Sequence, residues 1–300
     1  MVHLPVRFPS SPALLILLLL AAPLIGQGKV LGNAGRDREH NSPDWPTVEA
    51  HLADPATATL QKLQMQGDIL RARRFPYSAL DYYQYALKRD EKNTSLIKRI
   101  GITHLDLQNV ELARAYFQRA VKLNKKDAEA WNNLGAVEYL DGNFPNAISD
   151  YKHAVKLMKD FAVYHSNLGI AYFDRHDYNS GRKEMDIALK LNPNLLSEGS
   201  STGVSAHVLS AQDRARFCLE MAKIFAQAGN EAEMLHSLEK AAQGGLDVLD
   251  EMEKDKILAG YRKDPRVLLV VQNAKALRRG NTVAAADNPP SLPALSEASK

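Results

Sequence analysis

The sequence contains very little cysteine, which limits the chemistry it can support. Cys218 is the only cysteine among 300 residues, so the chain cannot form an internal disulfide bond. Paired CxxC and HExxH zinc motifs are absent, and the nine histidines are scattered without ligand spacing. Glycine-rich loops of the kinds that cradle phosphates or dinucleotides are also missing. The sequence therefore predicts no metal site and no cofactor.

A strong excess of one charge is missing as well. The formal net charge is +3, from 38 Lys and Arg against 35 Asp and Glu. Basic and acidic residues alternate along the chain, which is typical of solvated helix faces. Nucleic-acid-binding domains usually concentrate basic residues in a stripe or patch. We therefore expect no nucleic-acid partner.

The apolar run Ala13–Ile25 is too short and too close to the N-terminus for a standard membrane-spanning helix. It follows Arg7, and residues 1–26 together predict a signal peptide that is cleaved after Gly26. The sequence thus predicts an exported protein, periplasmic or secreted, with no stable membrane insertion after cleavage. The alternative is an uncleaved signal that anchors the chain in the membrane.

Small residues recur through the middle of the chain at a fixed interval of 34 residues. One series is Gly67, Gly101, Gly135 and Gly169. Two further series keep the same interval, Ala79, Ala113, Ala147 and Gly181, and Ala86, Ala120, Ala154 and Ala188. A fixed period of this length predicts helical hairpins stacked on one another.

Larger residues between these positions carry a resemblance to the tetratricopeptide repeat family. The third repeat has Trp131, Leu134, Gly135, Ala147 and Tyr151 at family positions, with Glu138 where Tyr is usual. The resemblance covers residues 60–195 well and 215–248 loosely. It implies an all-α fold, a right-handed superhelical solenoid of helix-turn-helix repeats with a C-terminal helical cap.

The predicted domain organisation follows the repeats outward to both ends. Trp45, near the N-terminus, is expected to dock on the first hairpin. The predicted segments are a signal peptide (1–26), a flexible N-terminal segment (27–53), four tetratricopeptide repeats (54–195), an inserted loop (196–213), a fifth repeat-like hairpin (214–248), capping helices (249–277) and a disordered tail (278–300).

The resemblance also implies a binding surface, since the first helices of successive hairpins line a concave groove in this family. The candidate binding residues are Lys98, Ile102, Leu105, Asn132, Asn133, Ala136, Tyr139, Ser166, Asn167, Ile170 and Phe173. The apolar members of this set have two interpretations. They receive a protein or peptide partner of unknown identity, or the termini of the chain itself lie in the groove and make them core.

These features predict a non-catalytic interaction scaffold, an adaptor or assembly factor in the cell envelope. One alternative is a serine hydrolase using the inserted loop, where Gly199–Gly203 matches the GxSxG pattern around Ser201. No strand pattern precedes that motif, and no stretch remains for a catalytic domain. A structural, self-assembling repeat protein is the third possibility.

Overall fold

Helices account for all regular secondary structure in the described part of the chain. The computed structural model describes residues 28–195 and 211–278. The predicted signal peptide, Ser201 with most of the inserted loop, and the predicted tail from residue 279 lie outside these residues. The helices in chain order are α1 (Gly28–His40), α2 (Trp45–Glu49), α3 (Leu60–Ala72), α4 (Pro76–Arg89), α5 (Thr94–Asp106), α6 (Val110–Leu123), α7 (Ala128–Leu140), α8 (Phe144–Leu157), α9 (Ala162–Asp174), α10 (Tyr178–Leu191), α11 (Ala211–Gln227), α12 (Glu231–Gln243), α13 (Val248–Lys254) and α14 (Pro265–Arg278), with a short 3₁₀-helix at Ala259–Tyr261.

Helices α3 to α10 form four consecutive hairpins with one repeat length. Their first helices begin at Leu60, Thr94, Ala128 and Ala162, and their second helices begin at Pro76, Val110, Phe144 and Tyr178, so both series advance by 34 residues. Each hairpin packs on the next through its second helix. The predicted all-α solenoid of helix-turn-helix repeats is confirmed.

Each hairpin turn uses a residue with left-handed backbone geometry at the same repeat position. These residues are Arg74, Gln108, Gly142 and His176, with φ angles of 68°, 59°, 76° and 58°. A left-handed residue just past a helix ends it and lets the chain reverse. Only one of the four is glycine, so the turn positions are hard to recognise from composition.

Aromatic rings explain why the first helices carry a glycine. A Cβ atom added at Gly101 would lie 2.7 Å from the Phe117 ring, and one at Gly135 would lie 2.8 Å from the Tyr151 ring. The ring of the second helix therefore occupies the space that a side chain would need. At Gly169 the nearest atom is instead the carbonyl oxygen of Gly181, at 3.1 Å, because the fourth hairpin brings two backbones together.

The N-terminal part differs from the flexible segment expected over residues 27–53. The Glu39 carboxylate in α1 accepts hydrogen bonds from the backbone N–H groups of Tyr77 and Ser78 at 2.8 and 3.0 Å. Trp45 is buried and meets the Phe75 ring edge-on, with centroids 5.5 Å apart, so it docks on the first hairpin. These tertiary contacts, which local composition does not reveal, hold α1 and α2 on the array.

Helix α11 runs in the opposite sense to the helix that the repeat pattern would place there. In the regular array, Arg114 near the start of α6 bonds Glu138 near the end of α7, so the second helix is antiparallel to the next first helix. By contrast, Arg216 lies over the Tyr178 ring and Glu220 faces Arg182. From the first pair to the second, the residue number increases by four in each helix, so α11 is parallel to α10.

The C-terminal helices form a separate apolar cluster around α12 that closes the stack. Helix α14 begins 34 residues after α12, so the repeat length persists, although α13 has only seven residues. The buried members of this cluster from α13 onward are Val248, Met252, Leu258, Val267, Val271 and Ala274. Within the described ranges, none of the helices is long and apolar enough to cross a membrane.

Candidate peptide-binding groove

Helices α3, α5, α7 and α9 lie side by side and form one surface, which we call the groove face. Three contacts between neighbouring helices on it join residues 35 positions apart. Arg71 Nε donates to Asp106 Oδ2 at 2.6 Å, and Asn167 Nδ2 donates to Asn132 Oδ1 at 2.9 Å. The Tyr139 hydroxyl donates to Asp174, again 35 residues away. The offset equals one repeat plus one residue, so it forms a ladder along the parallel helices.

Lys98 is tied to two carboxylates on the same face. Its Nζ lies 2.9 Å from Asp127 Oδ2 and 2.5 Å from Glu129 Oε2. Burial acts to lower the Lys98 pKa, but the hydrogen bonds to Glu129 and Asp127 outweigh it and raise that pKa. Lys98 is therefore held as a cation by its own chain and does not offer a free charge to an incoming carboxylate.

The predicted asparagines lie between helices and are buried together with Ala136. Asn133 Oδ1 accepts a long hydrogen bond of 3.5 Å from Asn132 Nδ2. The Asn133 amide nitrogen is buried and has no hydrogen-bond partner in the described part of the chain. These side chains thus connect α7 and α9 and present little surface to solvent.

The C-terminal part of the groove face is filled by the chain itself. Phe173 is fully buried against Phe217 of α11, with ring centroids 5.1 Å apart. Ile170 belongs to an apolar cluster that includes Met221 and Ile224 of α11. Here the structure corresponds to the second interpretation of the apolar strip, with the difference that an internal helix, not a terminus, fills it.

Tyr139 and Ser166 are also buried, so eight of the eleven predicted groove residues are enclosed. For Tyr139 the cause is local, because its ring packs edge-on against Phe144 at 5.4 Å while its hydroxyl bonds Asp174. The predicted residues that keep partial exposure are Lys98, Ile102 and Leu105. The three belong to α5.

Leu140 is a groove-face residue that the sequence prediction missed. Its side chain is 43% exposed at the end of α7. The 35-residue offset that pairs Arg71 with Asp106 places Leu105 opposite Leu140, so the middle rung of the ladder is apolar. Counting forward by 35 instead of 34 would have found it. Ile102, Leu105 and Leu140 form what we call the open strip.

A buried acidic group lies in the third hairpin, at the family position where Tyr is usual. Glu138 accepts from Arg114 Nε at 3.0 Å and from Asn143 Nδ2 at 2.9 Å. Burial, with a smaller contribution from the charge of Glu138, raises the pKa of Asp150 to about 7. The arrangement links consecutive hairpins and takes no part in the ladder.

One family model and several solved structures are similar to this chain. Residues 98–157 match the family model described as tetratricopeptide repeat. Similar solved structures include PilF from Pseudomonas aeruginosa, 16% identical with a TM-score of 0.48, covering 74% of this chain and 92% of that one. They also include YrrB, titled a TPR protein with an unusual peptide-binding site, 14% identical with a TM-score of 0.44, covering 74% and 98%.

MamA from Desulfovibrio magneticus is a further similar structure. It is 16% identical with a TM-score of 0.44, and the alignment covers 68% of this chain and 98% of that one. No curated protein matches the chain at the level of sequence.

Proposed function

We propose that this chain, whose residues 98–157 match the tetratricopeptide repeat family, is a non-catalytic scaffold that holds a protein or peptide partner on its groove face. The observation that carries this proposal is the open strip, where apolar side chains remain partly exposed between polar rungs that are paired within the chain. Exposed contiguous apolar surface is a common mark of an interaction site. The role we propose is that of an adaptor or assembly factor in the cell envelope.

The open strip determines what kind of side chain on the partner can bind there. Its neighbours on the ladder are the ion pair Arg71–Asp106 and the hydrogen bond from Tyr139 to Asp174, both satisfied within the chain. Affinity would then come from an apolar side chain of the partner that packs on Leu105 and Leu140. A few buried apolar anchors usually dominate such interfaces.

A photo-crosslinking residue in place of Leu140 tests this proposal in cells that produce the protein. We expect one partner to be captured from this position and not from Leu269, which is equally exposed on α14. With affinity purification of the full chain in place of crosslinking, Leu140→Asp should abolish capture of that partner, whereas Leu269→Asp should not. Capture that survives Leu140→Asp would contradict the proposal.

Export is the second part of the proposal, and residues 1–26 support it through their basic start and short apolar run. A reporter enzyme that is active only outside the cytoplasm, fused after Gly26, should become active. Replacing Leu17 and Leu19 with Arg should abolish that activity. Activity that persists after both replacements would contradict export by this segment.

The absence of catalysis can be tested directly. The described residues contain no group of three or more His, Cys, Asp or Glu side chains that could hold a metal ion. A hydrolase would depend on Ser201, so a serine-reactive probe separates the two functions. We expect the probe to label the unmodified protein and the Ser201→Ala variant to the same extent.

A further inference from the structure

Lysines occupy one position in the last turn of every second helix of the regular array. They are Lys88, Lys122, Lys156 and Lys190, at the ends of α4, α6, α8 and α10. All four are exposed. Because the hairpins stack in register, these helix ends lie along one edge of the array, and the lysines form a row.

Large apolar side chains accompany this row. The next position holds Leu123, Leu157 and Leu191 in three of the hairpins, and these residues are 40%, 42% and 40% exposed. Met158 follows Leu157 and is 46% exposed. We call residues 88–92, 122–126, 156–160 and 190–191 the basic edge.

The basic edge carries much more charge than its share of the chain. It holds nine basic residues against three acidic ones, a formal charge of +6, whereas the whole chain carries +3. The sequence alternates charges along the chain, but the fold collects the helix ends in one place. The segregation is therefore a tertiary feature.

Most of these cations have no counter-ion among the residues that the structure describes. Within the described ranges, Lys190 pairs with Asp186 at 2.6 Å, and Lys88 lies over the Tyr85 ring. No ion pair joins Lys122, Lys125, Lys126, Lys156 or Lys159 to a described carboxylate. On the groove face, by contrast, Lys98, Arg71 and Arg99 are each paired with Asp or Glu.

Helix electrostatics explain only half of this pattern. A lysine in the last turn is stabilised by the negative end of the helix dipole, which favours Lys at each of these positions. The dipole gives no reason for the partly exposed leucine that follows Lys122, Lys156 and Lys190. Alternating basic and aliphatic side chains on an exposed surface are instead typical of segments that lie on a lipid bilayer.

We propose that the basic edge binds the surface of an anionic lipid bilayer. The lysine ammonium groups contact lipid phosphates, and Leu123, Leu157 and Met158 enter the boundary between headgroups and acyl chains. Single-stranded nucleic acid also binds basic surfaces, but it stacks on aromatic side chains and would leave these aliphatic ones in water. The open strip lies on the first helices, so a membrane-bound array keeps it accessible.

Depth-sensitive fluorescence on the full chain locates the contact. An environment-sensitive fluorophore is attached through Leu157→Cys, or through Leu269→Cys on α14 as the control. Phosphatidylcholine vesicles with phosphatidylglycerol should shift the emission of the probe at position 157 to the blue, and that of the probe at 269 should stay constant. Pure phosphatidylcholine vesicles measure the binding that does not depend on lipid charge, including any contribution of residues 13–25.

Matched charge variants test the lysines. Lys122→Gln with Lys156→Gln should weaken binding to the anionic vesicles roughly 10- to 30-fold. Lys256→Gln with Lys263→Gln removes the same charge from exposed positions outside the basic edge and should change binding less than about twofold. Equal losses for the two pairs would show attraction by net charge alone and would overturn the proposal.

The leucines distinguish a bilayer from other polyanions. Leu123→Ser with Leu157→Ser should also weaken vesicle binding, whereas Leu268→Ser with Leu269→Ser should not. The proposal would be overturned if the emission of the probe at position 157 did not shift with anionic vesicles. It would also be overturned if the first serine pair left vesicle binding unchanged and competing duplex DNA abolished that binding.

Discussion

Gly67, Gly101 and Gly135 each lie beneath an aromatic ring from the second helix of the same hairpin. Glycine in a helix costs roughly 0.5–1 kcal/mol relative to alanine. The rings explain why glycine occurs at these three positions, because each ring fills the space that a side chain on the first helix would need. At the residue scale, the hairpin is defined by this pairing of absent and large side chains.

Gly135→Ala should therefore destabilise the protein, although alanine is the better helix former. The new methyl group meets the Tyr151 ring and the carbonyl oxygen of Ala147, and the expected loss is about 1–3 kcal/mol. Gly260→Ala is the control, since nothing lies within 4 Å of the added atom. Urea unfolding of both variants measures the difference, and equal stabilities would refute the packing argument.

Asp150 gives a second prediction at this scale. Burial and the neighbouring Glu138 raise its pKa to about 7 in the folded protein, against about 3.9 in the unfolded chain. The folded state thus keeps a proton that the unfolded state has lost, so this group lowers stability as pH rises from about 4 to about 7.

Asp150→Asn removes that dependence and should stabilise the protein by about 1–2 kcal/mol near pH 8, with little change near pH 4. The partial exposure of the carboxyl keeps the gain below the full value of the shift. Asp160→Asn, at an exposed position in the following linker, is the control. Denaturant midpoints at both pH values test this, and a gain that is equal at both would be inconsistent with titration of Asp150.

Helix α1 shows how one element completes another that is distant in sequence. The residue preceding α4, Phe75, has no side-chain acceptor for the free N–H groups of that helix. Glu39 supplies it from α1, bonding two backbone N–H groups and the Ser78 hydroxyl. The N-terminal helices are thus fixed by a cap that works across about forty residues of sequence.

Glu39→Ala should release this element without unfolding the array. We expect the free energy that holds α1 and α2 on the array to fall by about 2–3 kcal/mol, because hydrogen bonds to a buried carboxylate are stronger than those between neutral groups. Amide hydrogen exchange should accelerate over residues 34–50 and stay slow in α7. Glu49→Ala, at an exposed position in α2, serves as the control. Faster exchange throughout the array would mean that α1 and α2 are part of its core.

At the scale of the whole molecule, the reversal of α11 decides where the groove ends. His176 Nδ1 lies 3.1 Å from Asp213 Oδ1, which places the start of α11 at the turn after α9. If a fifth hairpin continued the array, the start of α11 would lie beside the start of α9.

Introduced cysteines can verify this arrangement. His176→Cys with Asp213→Cys should be joined by a short bifunctional thiol crosslinker, because the two side chains that they replace meet at 3.1 Å. Asp160→Cys with Asp213→Cys should not, since residue 160 precedes α9 at its other end. Cys218 is buried and common to both variants. Mass spectrometry distinguishes the products, and crosslinking of the second pair alone would support a continuous array.

The sequence by itself determined the hairpins, their number in the regular array and their stacking. Gly101 with Phe117, and Gly135 with Tyr151, lie 16 residues apart in one hairpin, so a local pattern carries the packing information. It did not reveal the helical N-terminal segment, because the contacts of Glu39 and Trp45 join residues tens of positions apart.

Only the tertiary structure decided which groove residues face solvent and where charge accumulates. Ile170 and Phe173 occupy positions of the repeat that line the groove, yet α11 covers them. The 34-residue repeat does not predict the direction of the helix that follows the insertion. The open strip is what remains uncovered. The basic edge likewise arises because stacking in register brings together lysines that the sequence separates by 34 residues.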